Sequence, residues 1–217
     1  MTPVNDAPVN TVPGVQVVAE DALLNFTDTS TVTVGDIDST LLEVELSVLQ
    51  GVLKVVLPAE GVTLSGGAIG SSVLKLSGEW TALNQTLATL NYQGTLNYFG
   101  PDTLTIRTTD DGGLSDTDTV GITVTPVNDP PVLGTVDPAI VRLVGVDWAL
   151  PADLPRRVAL PISDIDSAVD GSLAVSVSSG DSAAVPASAI RAVHQGGWFL
   201  EVAAVVPDAD GTATVPV

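Results

Sequence analysis

Apolar and polar residues alternate along several stretches of the first 130 residues. Every second residue from Leu42 to Val48 is Leu or Val, and the residues between them are acidic or Ser. A period of two residues is typical of a strand with one buried face. We predict further strands at residues 14–18, 30–34, 51–57, 72–76, 103–108 and 117–125, with Gly66-Gly67 in a loop between two of them.

A different period marks residues 80–90. Leu83, Leu87 and Leu90 recur at intervals of four and three residues, and Thr81 is placed to cap the start. This spacing predicts a short helical turn packed on a sheet. Strands separated by turn signals, with one short helical turn near 80–90, predict an all-β fold built as an antiparallel β-sandwich.

Residues 131–217 carry fewer landmarks. We predict strands at residues 140–144, 157–162, 172–178, 198–206 and 212–217. The last predicted strand, at residues 212–217, extends to the final residue of the sequence. We therefore expect a second, truncated or smaller sandwich, and a chain cut from a longer protein whose targeting signals lie outside it.

One short motif occurs twice. Val4-Asn5-Asp6-Ala7-Pro8 and Val127-Asn128-Asp129-Pro130-Pro131 each follow a Pro, and their first residues lie 123 positions apart. Proline fixes φ and moves the preceding residue toward extended conformations, so each copy is predicted to be an extended connector. A repeated connector predicts two tandem domains, at residues 1–130 and 131–217.

The charge balance is strongly acidic. Asp and Glu number 26 against seven Lys and Arg, a net charge of −19, while 45% of residues are hydrophobic. Nucleic acids and anionic membranes need basic surfaces, so neither is an expected partner, and no apolar run is long enough to insert in a membrane. The chain has no Cys, which excludes disulfides, thiolate zinc sites and cysteine nucleophiles.

The acids fall in turns that repeat. Asp-Ile-Asp-Ser occurs at residues 36–39 and again at 164–167, and Asp pairs precede the predicted last strands at Asp110-Asp111 and at Asp208 and Asp210. Calcium takes six to eight hard oxygens, at about 2.3–2.6 Å, whereas zinc favours His and Cys. The pattern favours calcium over zinc. A plain solvated acidic surface is the alternative.

These residues resemble the cadherin-like repeats of large bacterial surface and secreted adhesins. The resemblance rests on both connectors, on Ala19-Glu20-Asp21, on Asp36-Ile37-Asp38 and on the runs 102–112 and 118–124. It spans nearly all of residues 1–131. Residues 83–92 and 99–109 are also similar to chondroitin-sulfate proteoglycan repeats, and residues 131–217 resemble, more weakly, the companion Ig-like repeats of the adhesins.

The resemblance implies a Greek-key sandwich in each module and calcium at the junction between consecutive modules. The implied junction ligands are Glu20, Asn128, Asp129, Asp164 and Asp166, with Asp208 or Asp210. A second, half-built site is implied at Asn5, Asp6, Asp36, Asp38 and Asp110. Pro126 stands where the family usually has an Asp, so fewer ions or a lower affinity are expected.

The function implied is a non-enzymatic spacer or adhesion segment of an extracellular, cell-surface or secreted protein. Its partners would be neighbouring repeats of the same chain and a surface protein or glycan. The alternative is a carbohydrate-binding or ancillary module of a large secreted enzyme, for which Trp80, Trp148 and Trp198 would form a sugar-stacking platform. No enzyme is expected, because His194 stands alone and no nucleophile motif is present.

Overall fold

The computed structural model describes residues 4–57, 61–135, 156–166, 173–178, 190–202, 206–207 and 213–214. The chain divides into two compact units, Met1–Val127 and Asn128–Val217. Strands make up most of the regular structure, which confirms the predicted all-β class, and α1 (Trp80–Leu87) is the single α-helix among the described residues.

The first unit contains eleven strands within its described part. They are β1 (Val9–Thr11), β2 (Gln16–Ala19), β3 (Leu23–Asn25), β4 (Thr33–Gly35), β5 (Leu41–Ser47), β6 (Gly51–Lys54), β7 (Val62–Gly67), β8 (Val73–Glu79), β9 (Asn91–Gly94), β10 (Gly100–Asp110) and β11 (Ser115–Thr125). Six of them form one sheet in the order β2-β11-β10-β5-β8-β7, and smaller sheets have the orders β3-β9-β6 and β1-β4. All pairs are antiparallel except β2 with β11, which run parallel.

The core of this unit is built by the alternation that the sequence shows. Leu42, Val44, Leu46 and Val48 are all buried, which confirms the predicted inner face of β5. The helix leucines Leu83 and Leu87 and the following Leu90 are fully buried as well. The core also takes in Phe26 and Tyr92, so α1 and the smaller β3-β9-β6 sheet share their apolar residues with the six-stranded sheet.

Several local predictions were wrong in detail. Gly66-Gly67 does not form a loop but ends β7, where the pairing with β8 shifts at a bulge. Thr81 does not cap α1, because the helix begins one residue earlier and its N-cap, Glu79, makes no side-chain capping bond. The segment 30–34 divides into a 3₁₀ turn (Asp28–Ser30) and the short β4. Strands β1, β3, β7 and β9 were not predicted.

The second unit is described in shorter pieces. Its strands are β12 (Val132–Leu133), β13 (Arg156–Leu160), β14 (Ile162–Ser163), β15 (Ile190–His194), β16 (Trp198–Val202), β17 (Val206–Pro207) and β18 (Ala213–Thr214). β13, β16 and β15 form an antiparallel sheet with β16 in the centre. The predicted strand at 140–144 lies outside the described residues, and residues 173–178 form no strand.

A buried polar contact fixes one end of the first unit. The Asp102 carboxylate is buried and accepts hydrogen bonds from the backbone N–H groups of Leu49, Gln50 and Thr103, at 3.1, 2.9 and 2.7 Å. The fully buried Tyr92 donates its hydroxyl to the Gln50 carbonyl at 3.3 Å. Burial, followed by the negative charge of Asp102, raises the pKa of Tyr92 well above its usual value.

The raised pKa of Tyr92 predicts a loss of stability in alkali. Because the folded pKa exceeds the unfolded value, the contribution is intact below about pH 10 and falls as pH rises above it, by about 1.4 kcal/mol per pH unit. Urea unfolding at neutral pH and above pH 10 measures this slope. A Tyr92→Phe variant should show a shallower decline, and an equal decline in both proteins would contradict the prediction.

Candidate metal centre

The first connector lies beside the Asp36-Ile37-Asp38 turn. β1 pairs antiparallel with β4, and Val9, the first residue of β1, lies opposite Gly35, the last of β4. Residues before β1 are therefore neighbours of residues after β4. The Asp6 N–H donates to Asp38 Oδ2 at 2.7 Å, which fixes the connector to the turn through its backbone.

Asp36 organises this turn with one of its two oxygens. Its Oδ1 accepts hydrogen bonds from the backbone N–H groups of Asp38 and Ser39, both at 2.7 Å. This is the self-bonding turn that Asp side chains favour. Its Oδ2 is buried and accepts no hydrogen bond from any residue that the structure describes. A buried carboxylate oxygen without a donor is costly unless a cation or water satisfies it.

The turn between β10 and β11 contributes Asp110 to the same region. Its Oδ2 accepts from the Asn5 side-chain amide and its Oδ1 from the Leu114 N–H, each at 2.8 Å. Burial acts to raise the pKa of Asp110, but these bonds and the neighbouring backbone N–H groups lower it below its usual value. A Cβ on Gly112 would lie 2.6 Å from Asn5 Nδ2, so Asn5 rests directly on this glycine.

A further hydrogen bond, between Ser39 and Asp111, joins the two turns. The buried Ser39 hydroxyl donates to Asp111 Oδ1 at 2.6 Å, which joins the Asp36 turn to the β10–β11 turn. We call the set of Asn5, Asp6, Asp36, Asp38, Asp110 and Asp111 the N-terminal acidic cluster. Five of these residues were predicted as ligands from the sequence. Asp111 was missed as a ligand, although it stands in the same Asp-Asp-Gly-Gly turn as Asp110.

The second unit repeats these local bonds at its own connector. The Asp129 N–H donates to Asp166 Oδ2, and the Asp166 N–H donates to Asp164 Oδ1 at 3.0 Å. β12 pairs with β14 so that Val132 lies opposite Ser163. Val132 is 123 residues after Val9, and Ser163 is 128 residues after Gly35. The first offset equals the spacing of the two connectors, and the second equals the spacing of the two Asp-Ile-Asp-Ser motifs. Each connector therefore pairs with the strand before its Asp-Ile-Asp-Ser turn in the same register.

Glu20 lies where the chain leaves the first unit. It is buried, with 3% of its surface exposed, and its Oε1 accepts from the Val127 N–H at 2.6 Å. Its Oε2 is buried and accepts no hydrogen bond from the described residues. A nearly buried carboxylate with one free oxygen at this position is a suitable ligand for a hard cation.

The predicted ligands fall into three groups in the structure. The half-built set of Asn5, Asp6, Asp36, Asp38 and Asp110 is brought together. In the predicted junction set, Glu20 belongs to one unit and Asp129, Asp164 and Asp166 to the other, with Asn128 preceding Asp129. That set remains a prediction, and Asp208 and Asp210 lie outside the described residues.

The N-terminal acidic cluster offers mixed oxygen ligands. Among the described residues, no three or more acidic, His or Cys side chains are arranged as a metal site by themselves. The oxygens available are the free Asp36 carboxylate oxygen, the remaining lone pairs of the other carboxylates, and the Asn5 amide. Such mixed oxygen sets suit calcium and not zinc. No Lys or Arg of the described part forms an ion pair with this cluster, so its negative charge is uncompensated.

The predicted sugar-stacking platform of Trp80, Trp148 and Trp198 remains a prediction, since the two tryptophans that the structure describes belong to different units. Trp80, at the start of α1, is half-buried and packs against the core. Trp198 is half-buried too, with its ring 5.4 Å from that of His194. Trp148 lies outside the described residues.

Comparison of the chain with known protein families found none that matches, and a search among curated proteins found no similar sequence. No helix in the described part of the chain is long and apolar enough to cross a membrane.

Proposed function

We propose that this chain is a non-enzymatic structural and adhesion segment of an extracellular protein, built from cadherin-like and Ig-like β-sandwich repeats that calcium stiffens at their junctions. Its partners in this proposal are neighbouring repeats of the same chain and a surface protein or glycan. The sequence resemblance to adhesin repeats and the doubled connector motif support it, together with the geometry of the first unit.

One observation carries the spacer role. The chain enters the first unit at Asn5, which bonds to Asp110 at the end of β10. It leaves at Val127, two residues after the end of β11. β11 starts beside Asp110 and is 11 residues long, so entry and exit are separated by about 35 Å along the strand direction. A unit whose termini lie at opposite ends adds the length of its strands to the distance that a spacer covers.

Calcium would lower the electrostatic cost of a spacer built from such acidic units. Residues 1–130 carry 16 acidic and three basic residues, a net charge of −13. Several of these acids are concentrated where the connector enters, within the N-terminal acidic cluster. A divalent cation there would neutralise like charges that otherwise repel one another, and would hold the connector against two turns at once. Extracellular modules bind calcium with dissociation constants of about 10⁻⁴–10⁻³ M, close to extracellular calcium levels.

We expect calcium to raise the thermal stability of the full chain. At a calcium concentration about twentyfold above the dissociation constant, one site adds about 2 kcal/mol by mass action. For a chain of this size, that gain corresponds to a rise in melting temperature of roughly 4–8 °C. The measurement is a melt in millimolar calcium, in excess chelator and in magnesium, with isothermal titration of calcium into chelator-treated protein.

Asp36→Asn tests the N-terminal cluster directly. The Asn side-chain oxygen keeps the turn bonds to Asp38 and Ser39, while the charge at the buried second oxygen is lost. We expect calcium affinity to fall about tenfold or more. Asp28→Asn is the matched control, because Asp28 is exposed, belongs to no cluster, and has the positive φ that Asn tolerates. Equal melting in calcium and chelator would overturn the calcium proposal.

A further inference from the structure

One face of the six-stranded sheet points away from the core. Its outward residues are those that alternate with the buried ones along each strand. We call this surface the outer sheet face. Its members in the four central strands are Leu41, Glu43, Glu45, Ser47, Val73, Lys75, Ser77, Glu79, Pro101, Thr103, Thr105, Arg107, Thr109, Ser115, Thr117, Thr119, Gly121 and Thr123.

The outer sheet face is almost neutral in a strongly acidic unit. It carries three acids, Glu43, Glu45 and Glu79, and two of the three basic residues found in residues 1–130, Lys75 and Arg107. The remainder of residues 1–130 holds 13 acids and one base. A second copy of this chain would therefore meet less charge repulsion on the outer sheet face than on the acidic surfaces of the unit.

The charges on the face are ordered as well as balanced. Arg107 lies opposite Glu45 on the neighbouring strand, and Glu45 lies opposite Lys75 on the next one. Lys75 Nζ and Glu45 Oε2 are 2.7 Å apart. This row therefore runs positive, negative, positive, and Glu43 stands beside it. A surface with both signs can face its own copy with opposite charges in contact when the two-fold axis lies between Arg107 and the glutamates, as an isologous interface requires.

The rest of the face is suited to docking at low entropic cost. Threonines dominate β10 and β11, and Thr105 and Thr119 lie directly opposite each other. A threonine is restricted at χ1, so little rotamer freedom is lost on contact, and its methyl and hydroxyl groups make both apolar and hydrogen-bonded contacts. Leu41 adds an exposed apolar side chain at the rim, with 54% of its surface accessible.

We propose that the outer sheet face is a self-association surface, on which a second copy of this chain packs face to face. In this arrangement, Arg107 of one copy lies against Glu43 and Glu45 of the other. Six strands spaced about 4.8 Å apart, over roughly seven residues, give a footprint of about 550 Å² per copy. That size is at the lower end for specific interfaces, which is the range of weak and transient associations. This self-association needs no calcium, and it is a property beyond the proposed spacer role.

Sedimentation velocity on the full 217-residue chain tests the proposal, with concentrations up to about 1 mM. We expect the mean mass to rise with concentration both in calcium and in chelator, at a moderate and constant ionic strength that limits the repulsion between the acidic copies. Arg107→Glu should weaken association at least tenfold. Circular dichroism checks that the variant is folded, which we expect because Arg107 is exposed.

Lys54→Glu is the matched control. It makes the same change of charge on the one basic residue of residues 1–130 that lies outside the outer sheet face, on β6, and should leave association unchanged. A mixture of Arg107→Glu with Glu43→Arg restores opposite charges across the interface and should recover mixed dimers. The proposal is overturned if the unaltered chain stays monomeric, if Lys54→Glu weakens association as much as Arg107→Glu does, or if association disappears on chelation.

Discussion

Replacing Gly51 with alanine is expected to lower the free energy of unfolding of the first unit by about 3 kcal/mol. A Cβ at this position would lie 2.5 Å from the Gln93 carbonyl oxygen and 2.5 Å from a ring carbon of Tyr92. Neither neighbour can yield, because β6 is paired to β9 here and the Tyr92 ring is fully buried. Urea unfolding followed by tryptophan fluorescence measures the loss.

Gly14→Ala is the matched control for that substitution. A Cβ on Gly14 would meet nothing within 4 Å, so we expect a change of less than about 0.5 kcal/mol. Equal destabilisation by the two substitutions would show that backbone freedom, and not the contact with Tyr92, explains the effect at Gly51.

Asp102→Ala is expected to lower the free energy of unfolding of the first unit by about 2–3 kcal/mol. The substitution removes a charged acceptor of three backbone hydrogen bonds, two of which hold the turn after β5. It also removes a cause of the raised pKa of Tyr92, so the tyrosine should ionise at lower pH. Chemical unfolding gives the first quantity, and ultraviolet absorbance during an alkaline titration gives the second.

Asp118→Ala serves as the comparison for Asp102. Asp118 lies on β11, it is only half-buried, and no described residue donates a hydrogen bond to it. We expect a small change in stability and no change in the titration of Tyr92. If Asp102→Ala changed neither the free energy of unfolding nor the pH at which Tyr92 ionises, the hydrogen bonds of Asp102 at 2.7–3.1 Å would not stabilise the unit as we infer.

The long strands could be predicted because each contains its own signal. β5 alternates strictly, and its inner residues are buried as expected. Strands β1, β3 and β9 could not, since they have only three or four residues and little alternation of their own. What places them is pairing with segments distant in sequence, such as β3 with β9, and no local pattern reports such pairing.

The acidic cluster was predicted because its motif is doubled in the sequence. Two Asp-Ile-Asp-Ser copies at nearly the connector spacing indicated that Asp36 and Asp38 belong with Asn5 and Asp6. Asp111 and Ser39 could not be assigned in this way. Their bond joins residues 72 positions apart, and it exists only because two turns meet at one end of the sheet.

The parallel pairing of β2 with β11 gives the first unit a mechanical property. β2 is near the start of the unit and β11 is its last strand, and they run side by side in the same direction. A pull on the two ends of the unit therefore draws β2 backward and β11 forward along their common axis. Their hydrogen bonds are loaded together in shear and do not open one at a time. Under tension, this strand pair acts as a clamp between the two ends of the unit.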